Sequence, residues 1–494
     1  MKKLNVSGLW PLIPVIVGFY LPIGYVAIQD GMLEFGGNSS DALISSIAVI
    51  ISTLRVALLA ALFATLLGLV DAVCLVGTRG PARAFIVVML LATFLIPPSA
   101  LASAVQGVIG SSTLRATVRD ELGAVVMLVL RWAPVACAML LGAAAMWPSE
   151  QERALRSLPP WRALFTRARG LSRQAARCAG LLLLLLIPAS ELPSYAGVET
   201  ISQRVHARLT VGDAGEGWQL ALAMLIPVAI ALFFLLPRLH DSSRSTRDNS
   251  ITGLPGVGQV DLLLAIRSIP AIALICILIF TAWPRASELS TAGSEILGGV
   301  IGVLTESPRA ILVATISVIC GWRLADGGCR WGLLLFGLPT VLPGSLGALA
   351  LLQSSRSLVP PLLDEYPLLL SMAQFCKLGA IGAAAGFVAS RVMPPAEHNS
   401  SLFLAPAAGR WRVRFLRSLP VLIPAIVIGV AVVMGEVEAT LILAPPGHPA
   451  PALELHQLLH FRNDEQAARI ALVLATFGAL LATAVVAPVA RRRT

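Results

Sequence analysis

Charge is what this chain has least of. Only 13% of its 494 residues are Asp, Glu, Lys or Arg, while 56% are hydrophobic. A soluble domain of that length needs more polar surface, so soluble classes are excluded. Paired cysteine chemistry is missing too. The seven cysteines are scattered and none forms a C-x-x-C, which argues against a disulfide frame or a zinc site. There is no P-loop, no G-x-S-x-G and no H-E-x-x-H. No catalytic constellation or cofactor fingerprint is visible, and no soluble segment is large enough to hydrolyse ATP. The chain is expected to be neither an enzyme nor a metal or cofactor protein.

What is present is a succession of apolar runs about twenty residues long, the length that roughly 30 Å of hydrocarbon asks of a helix. The expected class is all-α and polytopic, with about twelve transmembrane helices. They are read at 9–28, 44–76, 84–109, 122–146, 178–198, 218–237, 259–283, 306–322, 331–352, 367–389, 419–444 and 466–489. The second is long, and the eighth is short. The first follows Lys2 and Lys3 and lacks a small-x-small cleavage site, so it reads as a retained helix.

Charge distribution sets the orientation. With both ends of the chain in the cytoplasm, inner segments hold 24 of the 37 Lys and Arg, which is what the positive-inside rule demands. This also accounts for the net charge of +10 without nucleic acid. Residues 241–258, polar and then Gly/Pro-rich, form a cytoplasmic linker between halves 1–240 and 259–494. Six spans per half make the halves parallel repeats, with a pathway between them near the repeat axis.

The repeat shows in three places. Prolines interrupt the third and ninth spans, at Pro97 and Pro98 and at Pro339 and Pro343. Carboxylates sit toward the outer ends of the fifth and eleventh, Glu191 and then Glu436 and Glu438. Before those two spans lie basic, Trp-containing stretches, one around Trp161 and one at Gly409-Arg410-Trp411-Arg412. That much charge stays out of hydrocarbon, so these stretches are placed in water at the membrane face.

These features resemble the inner-membrane permease of bacterial binding-protein-dependent ABC importers, most closely the ferric-iron type with two fused permease domains. The resemblance implies the MetI-like ABC permease fold, with a coupling helix before the fifth span of each half. Its Glu-Ala-Ala…Gly signature is matched by Glu152, Ala154, Arg156, Ser157 and Trp161, with Pro159 where the family has glycine. In the second half it falls on Gly409, Arg410, Trp411 and Arg412, and residues 400–407 hold no acidic residue. The implied partners are an ABC ATPase dimer on the cytoplasmic face, a periplasmic solute-binding protein and the lipids of a bacterial inner membrane. The implied function is ATP-driven solute uptake by alternating access, ferric iron by resemblance. The alternatives are thiamine, a polyamine or an oxyanion as solute, or a scaffold that no longer transports.

Glu191, Glu436, Glu438, Pro97, Pro98, Pro339 and Pro343 are the pathway candidates. A carboxylate inside a membrane is costly and faces protein or water, and a kinked helix frees carbonyls only where they meet the same. Arg131 and Lys377, inside the fourth and tenth spans, are candidates for interior ion pairs. Glu454, His456 and His460 read as part of an amphipathic outer helix rather than a metal site.

Overall fold

A computed structural model describes residues 9–29, 40–77, 87–91, 93–94, 96–102, 120–144, 154–155, 157–211, 220, 273, 276–277, 279, 282, 289–358, 367–392, 407–444, 450–461 and 464–491. Among these residues there is no strand. Helix is what an apolar chain in lipid is driven to, because each backbone N–H and C=O must find its partner within the segment. The helices are α1 (10–29), α2 (Ser40–Gly77), α3 (Glu121–Ala144), α4 (Pro160–Leu186), α5 (Glu191–Tyr195) and α6 (Ile201–Val211). They continue with α7 (Leu289–Asp326), α8 (Arg330–Gly337), α9 (Gly344–Leu358), α10 (Leu368–Lys377) and α11 (Gly379–Val392). The last are α12 (Ala407–Met434), α13 (Glu438–Leu443), α14 (Pro451–His460) and α15 (Asp464–Arg491).

Among the described residues, five helices are long and apolar enough to cross a membrane: Ile47–Leu75, Glu121–Leu141, Thr291–Asp326, Trp411–Met434 and Glu465–Ala484. Two bent pairs bring the number to seven if each is one span: Trp331–Val341 with Gly344–Ser355, and Leu368–Lys377 with Gly379–Ser390. The chain is thus a multi-pass helical membrane protein. On α2, Ile47, Ile51, Leu58, Leu62, Phe63, Leu66 and Val70 stand exposed at helical spacing, the face that lipid tails would cover. The sixth and seventh expected spans and the linker lie almost wholly outside the described residues.

Two expected elements take a different form. The eighth span, read as 306–322, is the middle of the 38-residue α7. The helix carries polar residues because the fold pairs them. Glu306 meets Arg309, and Glu295 meets Arg469 on α15. The basic stretch and the apolar run after it, expected as an aqueous segment followed by a span, form the single helix α4. Pro160 at its first position sets the start, because a helix has no bond there for the missing N–H to make. Between Trp161 and Leu186 no proline stops it.

The chain divides into two compact units. One comprises Met1–Ala42, Ser202–Leu225 and Ile301–Glu454. In it α1 packs with second-half helices: Gly18 lies against Met372, and the Tyr20 hydroxyl donates to the Leu335 carbonyl at 2.8 Å. Trp322, buried on α7, donates to Ser418 and meets Phe415 edge-on. Gly321 touches the GxxxG of α11, and a Cβ on it would fall 2.0 Å from the Gly382 carbonyl oxygen. The other unit comprises Leu43–Ile201, Ile226–Val300 and Leu455–Thr494. Here α2 crosses α3 as closely at Gly68, where a Cβ would meet Ala136 at 2.5 Å. Both crossings depend on small residues, the usual means of bringing helix backbones together without a hydrophobic drive.

Candidate functional site

The ninth expected span breaks where its prolines fall. After α8 comes a tight turn, Leu338–Val341. Leu342 is then extended, as the residue before a proline tends to be. The chain resumes at Gly344, turned by 98°. Such a break leaves the first amides of α9 without helical partners, a costly condition away from water. A carboxylate fills one vacancy: Glu438 Oε2 accepts the Gly344 N–H at 2.9 Å.

Lys377, the last residue of α10, holds that carboxylate. Its Nζ lies 3.4 Å from Glu438 Oε2 and 3.1 Å from Glu436 Oε1. Glu436 is buried and well satisfied. It accepts the Ala439 N–H at 2.8 Å and the Thr440 N–H at 3.2 Å, capping α13. The network extends further. Thr440 receives Gln374 Nε2 at 3.4 Å, Gln374 Oε1 receives Arg309, and Arg309 pairs with Glu306. Space at the centre is tight, since a Cβ on Gly344 would lie 2.8 Å from both Glu438 Oε2 and Lys377 Nζ.

The first half repeats the theme with different atoms. Pro97 lies outside helical structure, Pro98 opens the helical residues 98–102, and the bend falls at Ile96. Arg131 on α3 donates from Nη1 to the Ile96 carbonyl at 2.7 Å and lies over the Phe94 ring. Glu191, first residue of α5, acts on the Arg131 charge. Tyr195 at the other end of α5 hydrogen-bonds His456 Nδ1 at 2.7 Å.

The correspondence is regular in sequence. Pro97 and Pro343, Ser99 and Ser345, and Arg131 and Lys377 are each 246 residues apart, and Glu191 and Glu438 are 247 apart. Ser99 and Ser345 are both buried. The structure therefore joins the carboxylate, proline and cation candidates into one cluster per half. Pro339 lies in the turn before the break rather than at it.

The residues expected to couple form no comparable cluster. Ala154, Ser157 and Pro159 make a turn in which the Ser157 hydroxyl donates to the Ala154 carbonyl. Trp161, 59% exposed, follows with exposed Arg162 and Phe165. Glu152 and Arg156 lie outside the described residues, as does the Arg410 side chain. In the second half Gly409, Trp411 and Arg412 lie in the opening turns of α12. Trp411 stacks on Phe415 and meets Trp322, so its ring is partly tied to the core. His456 is taken up by Tyr195, while His460 meets Phe461.

Gly344, Gln374, Thr440 and Tyr195 were not picked out in the sequence as site residues. The offset of 246 shared by the proline, serine and cation pairs is the signal that ties Gly344, beside Pro343, to the proline break of the first half. Compared with protein-family models, curated proteins and solved structures, the chain matches none.

Proposed function

We propose that the chain is the permease subunit of a binding-protein-dependent ABC importer, two six-span halves of the MetI-like fold fused in one polypeptide. A separate ATPase drives it through alternating access, and a binding protein delivers the solute at the outer face. The observation that carries this reading is the duplicated cluster. Each half has a proline-broken third helix, a cation on its fourth and a carboxylate in the short helix after its fifth. Broken helices near charged groups are what repeat-built transporters use where a solute must pass. The exposed Trp161, Arg162 and Phe165 support a docking role for the start of α4.

The second-half cluster favours a cationic solute over an oxyanion, because Glu436 and Glu438 outnumber Lys377 there. That agrees with ferric iron, the solute of the resembling family. Uptake of labelled ferric iron by a strain lacking the chain, with and without a plasmid copy, tests this. Restored uptake that Trp161→Ala abolishes is the expected result. Uptake indifferent to the chain would overturn the iron reading.

A further inference from the structure

We propose that Lys377 is a positioning residue that locks the bent pair α8–α9, and that its release opens a cavity to water. The proposal rests on the permease reading for its purpose but not for its test. The Lys377 ammonium holds Glu438, and Glu438 holds the first amide of α9. The start of α9 is thus tied to a carboxylate that the ammonium in turn holds, a direct link from Lys377 to the break.

Beside this lock lies a cavity of about 20 Å³, enough for a single water. Gly18, Phe19, Pro343, Gly344, Cys376 and Lys377 are among its lining residues. Gly18 and Phe19 come from the one stretch of α1 that is wound as a π-helix, Ile16–Tyr20. Such turns are rare inside helices and recur at functional sites. A rotation of α9 that withdrew Gly344 from Glu438 would enlarge the gap along its whole lining. Cys376, only 2% exposed, would be the first thiol to meet water.

The test uses the full chain in lipid nanodiscs and needs neither solute nor ATPase. Labelling by methanethiosulfonate ethylammonium is followed at each cysteine by peptide mass spectrometry. Cys329, half-buried in the turn between α7 and α8, reports reagent activity, and Cys320, buried on α7, reports general loosening. In the wild type Cys376 and Cys320 should both stay protected. Lys377→Met and the isosteric Glu438→Gln should each raise the Cys376 rate tenfold or more with Cys320 unchanged, and Lys377→Arg should restore protection. The lock is refuted if Cys376 stays protected in both variants. It is equally refuted if Cys320 opens in step with Cys376, since that is loss of packing rather than a local release. Either failure leaves the permease reading standing, and failed transport would leave the labelling pattern unchanged.

Discussion

The two halves repair the same break from opposite sides. In the second half a carboxylate reaches the N–H that follows the break, Glu438 on Gly344. In the first half a guanidinium reaches the C=O that precedes it, Arg131 on Ile96. The residue at the helix start explains the choice. Pro98 stands where the second half has Gly344, and proline has no N–H for a carboxylate to bond. What remains to be satisfied there is a carbonyl, and a cation does that. The residue at the helix start thus decides which partner carries the contact, while a cation and a carboxylate are found in both halves. The glycine version is crowded, because a Cβ at position 344 would press on Glu438 and Lys377.

Breaking each half in turn should expose this difference. The largest effect is expected from Lys377→Met, which leaves two carboxylates without their ammonium. Breaking a buried pair costs about 3–5 kcal/mol, and the lower end applies because the lysine is 26% exposed. Thermal unfolding in detergent would show it, and adding Glu438→Gln should recover part of the loss. Arg131→Gln is expected to cost about 1.5–3 kcal/mol, the worth of a charge-assisted hydrogen bond. An Arg131→Gln loss larger than that of Lys377→Met would reverse the comparison. Gly344→Ala should cost about 1–3 kcal/mol by overpacking, since the methyl must push aside Glu438 or Lys377. The smallest effect belongs to Tyr195→Phe. It removes one bond to His456 and should cost about 0.5–1.5 kcal/mol.

Helical class and membrane residence were legible because hydropathy reports burial in lipid directly. The breaks were legible as well, since Pro97 and Pro343 act through local geometry. Helix lengths were less so. Glu306 and Arg309 pair one turn apart on α7, but Arg309 is also held by Gln374 on α10, and that contact is a tertiary fact. The course of α4 departs from the expected one for a different reason. Arginines imply water but do not stop a helix, and nothing between Trp161 and Leu186 does. The partners of Lys377 could not be read from local sequence, because Glu436 and Glu438 lie some sixty residues further on. The packing of α1 with second-half helices is equally non-local.

The claim most open to direct test is that a motor on another polypeptide grips this chain twice. Native mass spectrometry of the tagged chain, purified gently from its own membrane, measures that. The expected result is a complex of one chain with two copies of a nucleotide-hydrolysing subunit, lost when Trp161 and Trp411 are both replaced by alanine. A chain recovered intact and folded with no such subunit bound would contradict it.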